Sequence, residues 1–305
     1  MSGRPTPLLA LPDPVLEAAG VQLWLKREEQ RHPLLGGNKW PKLLGHLRAA
    51  NGRTLVGFGG AWSNHLHALA AAGMALGLAT VGVVRGGRDT AMLADCRAMG
   101  MQLLPVSHGD YRRRDEPDWI QSFLASAGLA GAWVIPEGGG GAEGLPGFAE
   151  LAAELAAEAT PDTVFALAMG TGTSVAGVAA HLPATARVWG FPVLPLPGIE
   201  AKLAASLQVV ANPAALTVWH GLVDKAYGRL TLELRQFMED FEHRHDVALD
   251  PVYTVKLLWV LHALAGQGRL PRGIKIIALH SGGLQGRRGH ALPFFAALAA
   301  CERSK

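Results

Sequence analysis

The stretch Thr54-Leu55-Val56-Gly57-Phe58-Gly59-Gly60-Ala61-Trp62-Ser63-Asn64-His65 decides how the chain is read. A short apolar run breaks at two glycines and passes at once into an Ala/Leu-rich segment that continues to Leu76, after which residues 80–84 return to a Val-rich run. Strand, glycine turn, helix and strand in that order make a βαβ unit, and strands that are apolar along their whole length belong to a parallel sheet covered on both faces. The same alternation recurs outward from this unit. Strands are expected at residues 54–58, 80–84, 102–106, 132–135, 164–168, 188–191 and 274–279, with helices between them. The fold class is α/β, with parallel-rich open sheets and flanking helices. The glycine-rich stretch Gly138 to Gly147 separates a first set of four strands from a second set that begins at Val164, so two lobes are expected.

Composition narrows the function classes. At 305 residues and 49% hydrophobic content, the chain can bury the core of one large or two moderate domains. Its formal net charge of +3 is spread over scattered basic residues, which points to anionic small molecules as partners and away from nucleic acid. Cys96 and Cys301 lie far apart without metal-ligand spacing and read as buried thiols of a reducing compartment. His65 and His67 point to different helix faces, as do His243 and His245, so neither pair makes a metal site. The first 20 residues lack a basic start followed by an apolar run, and no stretch reaches the roughly 18 apolar residues needed to span a bilayer. No membrane partner and a cytoplasmic location are expected.

In open parallel sheets, ligands bind beyond the carboxyl ends of the strands, so the turns there carry the candidate chemistry. The first is Gly36-Gly37-Asn38-Lys39-Trp40-Pro41-Lys42, where Asn38 can cap a helix running to about Ala50 and stopped by Asn51-Gly52. Lys39, one of eight lysines, would stand beside the positive end of that helix, which favours the neutral amine that a Schiff base needs. As an isolated residue it reads equally as a solvated surface lysine. The second is Gly59 to His65, where free N–H groups at a helix start can hold a carboxylate, although Ser63 and Asn64 are also ordinary N-caps. The third, Gly138 to Gly147, carries six glycines in ten residues and alone would pass for a flexible turn. The fourth is Met169-Gly170-Thr171-Gly172-Thr173-Ser174, where successive N–H groups and hydroxyls can cradle a phosphate. A dinucleotide site is its rival. That rival expects an acidic residue about 20 positions on, at the end of the next strand; here that strand ends in Trp189-Gly190-Phe191 and no carboxylate appears before Glu200. One phosphate group fits better. The fifth joins Asp250-Pro251-Val252-Tyr253-Thr254 to Leu279-His280-Ser281-Gly282-Gly283: Tyr253 can stack on an aromatic cofactor, and Thr254 and Ser281 can bond a ring nitrogen, or all three can be core and cap residues.

Taken together and in order, the five resemble the fold-type-II pyridoxal 5'-phosphate (PLP) enzymes of the 1-aminocyclopropane-1-carboxylate (ACC) deaminase and D-cysteine desulfhydrase family, from Leu25-Lys26-Arg27-Glu28 to Gly283. The family's Gly-Gly-Asn-Lys motif matches Gly36 to Lys39, its Gln-Ser-Asn-His segment Trp62 to His65, its Pro-x-Gly-Gly loop Pro136 to Gly139 and its phosphate cup Gly170 to Ser174. The resemblance implies a tryptophan-synthase-β-like fold, with a large PLP-binding domain of residues 1–51 and 149–305, a small domain of residues 52–148 and the active site between them. It implies that Lys39 carries PLP as a Schiff base and then serves as the base, with Ser63 and Tyr253 also catalytic. Asn64, Gly170, Thr171, Gly172, Thr173, Ser174, Tyr253, Thr254 and Ser281 would hold the cofactor. Trp62, Ser63, Asn64, His65 and Tyr227 would meet the substrate. A homodimer is implied as well.

Trp62 stands where the family has glutamine, Trp40-Pro41 where it commonly has Thr-Arg, and Gly140-Gly141 where it has Ser-Asn. All three departures bear on the substrate more than on the cofactor. The ring-opening deaminases resemble one another in a glutamate after the tyrosine aligned with Tyr253, whereas this chain has Thr254. The cyclopropane substrate has no α-proton, so its opening calls for strong polarisation at the ring nitrogen; a hydroxyl there suits β-elimination of a good leaving group such as thiol. D-cysteine conversion to pyruvate, ammonia and sulfide is therefore the favoured reading. ACC deamination, a PLP- or metabolite-binding protein with little turnover and a nicotinamide oxidoreductase remain alternatives.

Overall fold

Ten strands among the described residues form two sheets whose interiors follow from the uninterrupted apolar runs. A computed structural model describes residues 5–208, 210–222 and 228–293. The strands are β1 (Leu8–Ala10), β2 (Gln22–Lys26), β3 (Leu55–Gly59), β4 (Thr80–Arg85), β5 (Gln102–Val106), β6 (Trp133–Ile135), β7 (Thr163–Met169), β8 (Arg187–Pro192), β9 (Ala215–Val218) and β10 (Lys275–Leu279). A six-stranded sheet has the order β1-β2-β10-β7-β8-β9, and a four-stranded sheet has the order β5-β4-β3-β6. Every pairing is parallel except β1 with β2.

All seven residues of β7 are buried. Val164, Ala166 and Ala168 join one core cluster, while Phe165, Leu167 and Met169 join another on the opposite face, as the two-residue period of a strand requires. The four-stranded sheet repeats the arrangement: Leu55 packs with Leu66, Leu69 and Cys96 on one face, and Val56 and Phe58 pack with Tyr111 and Trp119 on the other. Each fully buried Leu, Val or Phe contributes roughly 1.5–3 kcal/mol relative to exposure, so the paired layers fix where the strand ends point. The Cys96 thiol, buried and beside Asp95, is pushed up to about 12 and stays protonated; Cys301 lies outside the described residues.

The seven expected strands are present, with ends shifted by a residue or two. β1, β2 and β9 were not expected. β2 ends in Lys26, which reads as a surface residue yet is buried, because its amine donates to the Thr6 carbonyl at 2.7 Å and pairs with Glu154. β1 and β9 are short and lie at the two edges of the sheet.

A buried carboxylate ties the N-terminal segment to the helices behind the sheet. Asp13 caps helix Pro14–Ala18 by accepting from the N–H groups of Val15 and Leu16 at 3.0 and 3.2 Å, and its other oxygen meets Arg244 at 2.7 Å and His262 at 2.9 Å. Burial alone would raise its pKa; the His262 hydrogen bond, the two N–H groups and the His262 charge together hold it at about 2 against an ordinary 3.8. A depressed carboxyl stabilises the fold above its unfolded-state pKa, a contribution lost as pH falls through the folded-state value, and this shift corresponds to about 2 kcal/mol. Asp13→Asn should lower the urea-unfolding free energy by about this amount at neutral pH, and the gap to the parent should close between about pH 4 and pH 2. A gap that does not change with pH would refute the assignment.

Candidate active site

The turn that carries Lys39 is positioned by backbone packed on backbone. Gly37 has φ +77°, and a Cβ there would lie 2.1 Å from the Ser281 carbonyl oxygen, so only glycine lets the turn before helix Lys39–Ala50 rest on the loop after β10. The Asn38 N–H donates to that same carbonyl at 3.2 Å. Asn38 holds the N-cap position, but its side chain makes no cap bond, contrary to expectation. Its amide instead donates to the Ser174 hydroxyl at 2.8 Å and its oxygen accepts from the Lys39 amine. One side chain thus joins the lysine to the turn after β7.

The Lys39 amine lies 5.7 Å from the centre of the Tyr253 ring. Burial lowers its pKa from 10.5 to about 8, against the opposing charge of Asp250. Lys42, one turn further along the helix, is buried, and burial together with the Lys39 and Lys202 charges drives its pKa well below the ordinary value. No carboxylate pairs with it among the described residues.

The β7 turn faces these lysines. Gly170 packs under the Tyr253 ring, where a Cβ would stand 3.3 Å from it, and Gly172 has φ +83°. Thr173 and Ser174 open helix Thr173–His181, and the Thr171 and Thr173 hydroxyls lie 3.1 Å apart. Asn38 links this turn to Lys39, and the adjacent Gly138 and Gly139 abut Thr171 and Lys42.

The β3 turn contributes Ser63, whose hydroxyl caps helix Asn64–Leu76 by accepting the Leu66 N–H at 3.2 Å. The buried side-chain oxygen of Asn64 has no partner. Its amide nitrogen lies 2.7 Å from where Gly283 would carry a Cβ, so glycine is needed in the β10 loop as well. His65 is buried with neither ring nitrogen bonded, and burial, aided by the nearby Lys42 and Lys39, lowers its pKa to about 3, leaving it neutral. Trp62 packs against Gly289, in the segment after the β10 loop. Tyr227 lies outside the described residues.

Thr254 is fully buried at the start of helix Thr254–Gly266, and its hydroxyl accepts the Ser281 N–H at 3.4 Å. Tyr253 precedes the helix instead of lying within it. Asp250 accepts three backbone N–H groups, those of Val252 at 3.1 Å, Tyr253 at 2.6 Å and Thr254 at 2.7 Å. Sequence reasoning gave no role to Lys42 or Asp250. The three-residue spacing from Lys39 was a signal for Lys42, and an aspartate just before a helix start was one for Asp250.

Known proteins resemble this chain over most of its length. It is 28% identical to a D-cysteine desulfhydrase of Yersinia enterocolitica over 92% of each chain. It is 27% identical to a mitochondrial bifunctional D-cysteine desulfhydrase/1-aminocyclopropane-1-carboxylate deaminase of Arabidopsis thaliana, over 88% of this chain and 73% of that one. A solved structure of an ACC deaminase homologue superposes with a TM-score of 0.78 at 26% identity, over 93% of this chain and 91% of that one. The family model described as pyridoxal-phosphate dependent enzyme matches residues 1–282, and the chain belongs to that family.

Proposed function

We propose that the chain is a D-cysteine desulfhydrase-like lyase that converts a small β-substituted amino acid to its keto acid, for D-cysteine giving pyruvate, ammonia and sulfide with uptake of one water. The observation that carries the reading is Thr254: this fully buried hydroxyl accepts the Ser281 N–H of the β10 loop at 3.4 Å, and the one carboxylate of that turn, Asp250, is already committed to three N–H groups. A neutral hydroxyl supports elimination of a thiol better than it supports opening of a ring that lacks an α-proton.

The residues present fit PLP. The Lys42 amine is buried without a carboxylate among the described residues, and the Asn64 oxygen is a buried polar atom without a partner. An anionic phosphate at the first and a polar ring substituent at the second would complete both. Lys42 with Gly170, Thr171, Gly172, Thr173 and Ser174 is read as the phosphate site. Tyr253 would lie beside the ring, with Asn64, Thr254 and Ser281 as its polar contacts.

Bound there, PLP supplies an electron sink for charge developing at the substrate α-carbon. Lys39 is read as the attachment point and as the group that takes the α-proton, because an amine with a pKa of about 8 has a substantial neutral fraction near physiological pH. Asn38 would hold that amine in place. Ser63, Asn64 and the free N–H groups of the β3 turn are read as binding the substrate carboxylate, with neutral His65, Tyr227 and Trp62 shaping the rest of the pocket. We further read residues 52–148 as the small domain, residues 1–51 and 149–305 as the large one, and the protein as a cytoplasmic homodimer, on the resemblance and on the reduced state expected of Cys96. ACC deamination is the second reading, favoured by the bifunctional Arabidopsis relative.

Two outcomes are expected. Lys39→Ala should remove the yellow colour of the PLP-loaded protein and lower keto-acid release by about 10²- to 10⁴-fold, while in the parent the rate of PLP capture by cofactor-free protein should rise with pH and level off above about 8 as the amine loses its proton. A coloured, active Lys39→Ala would remove the lysine from its role. When D-cysteine, L-cysteine and ACC are offered separately, pyruvate should form from D-cysteine. Release of 2-oxobutyrate from ACC with no pyruvate from D-cysteine would establish the second reading instead.

A further inference from the structure

The loop Gly138–Gly141 has no side chain with which to hold itself, yet it forms one wall of the phosphate cup. A Cβ on Gly138 would lie 2.8 Å from Thr171, and one on Gly139 would lie 2.9 Å from Lys42. Three of the four glycines have positive φ, at +73°, +74° and +90°. Such a run loses more conformational freedom on ordering than any other composition. Two local backbone hydrogen bonds hold its ends, from the Gly139 N–H to the Pro136 carbonyl at 2.9 Å and from the Gly144 N–H to the Gly141 carbonyl at 3.1 Å, and neither involves Gly140, so something outside the loop must fix its middle.

That anchor is His46, on the helix that carries Lys39 and Lys42. It is 1% exposed, with Nε2 at 2.9 Å from the Gly140 carbonyl oxygen. Its other nitrogen, Nδ1, lies 3.3 Å from Nε1 of Trp133, at the start of β6. An indole nitrogen can only donate, so Nδ1 accepts and the single proton of a neutral imidazole is on Nε2, pointed at the Gly140 carbonyl. Burial lowers the His46 pKa against the opposing pull of that carbonyl and of Glu143, which keeps the ring neutral.

We infer that His46 is a positioning residue for cofactor binding: oriented by Trp133, it pins the Gly140 carbonyl and so holds the glycine loop against Thr171 and Lys42 in the shape that receives a phosphate. The inference rests on reading the cup as the phosphate site. It gives the two glycines at 140 and 141 a physical partner, since the hold they lack comes from a helix one layer away.

The test compares affinities of the full chain, freed of cofactor, for PLP and for pyridoxal, which lacks the phosphate. His46→Leu should weaken PLP binding about tenfold, the effect of one buried hydrogen bond, while pyridoxal binding changes less than about twofold. His46→Gln, whose amide can donate to the carbonyl, should restore PLP affinity to within about threefold of the parent. Trp133→Phe keeps an aromatic ring but frees the tautomer, and should cause a smaller loss that is again selective for PLP; it serves where His46→Leu does not fold. Equal losses for the two ligands, or PLP affinity unchanged in both His46→Leu and Trp133→Phe, would overturn the inference alone. A parent that binds PLP no better than pyridoxal would overturn the cup reading and this inference with it.

Discussion

The site depends on one close approach of backbone to backbone: the Gly36–Gly37 turn resting on the Ser281 carbonyl and its neighbouring glycines at the end of β10. Any side chain at Gly37 would collide with that carbonyl, and the Asn38 N–H bond to the same oxygen sets the entry angle of the helix. Because that helix begins at Lys39, the contact places the amine beside Tyr253 and, through Asn38, within reach of Ser174 at the end of β7. The strands fix β7 and β10 side by side in a parallel pair. The position of Lys39 is thus a consequence of sheet pairing plus one glycine.

The electrostatics follow from that geometry. Bringing Lys39 and Lys42 into a buried site on successive turns of one helix is unfavourable for both charges, and each is driven towards its neutral form. For Lys39 this gives a pKa of about 8 and so a substantial neutral fraction near physiological pH. For Lys42 it leaves a buried amine whose protonated form an anionic group would stabilise. His65, close to the same charges, is kept neutral and unbonded. These perturbations gather around the turns that end β3, β6, β7 and β10, where a parallel sheet presents its binding edge.

Much of this was legible in the sequence, and for identifiable reasons. Apolar runs with no polar alternation could belong only to covered parallel strands, and glycine turns that must let backbone approach backbone announce themselves in composition. Gly36 and Gly37 were read as the loop before the Lys39 helix, and Gly170 and Gly172 as part of a phosphate cradle after a strand. What was missed depends on partners distant in the chain. Lys26 looks exposed until Glu154, 128 residues away, is brought to it. Asn38 was read as a helix cap because capping is local, whereas its partner Ser174 is 136 residues distant. Asp250 is the local exception: it was read only as part of the segment that starts a helix, and its carboxylate accepts the N–H groups of Val252, Tyr253 and Thr254. His46 carried no signal, since a histidine inside an amphipathic helix gives no hint that a polyglycine loop will need its proton.

The central claim, that this fold delivers Lys39 to PLP, is tested most directly by reducing the PLP-loaded protein with borohydride and mapping the modified residue by peptide mass. The account predicts a pyridoxyl-phosphate adduct on Lys39 and on no other lysine. An adduct on Lys42 or elsewhere, or none despite bound PLP, would contradict it.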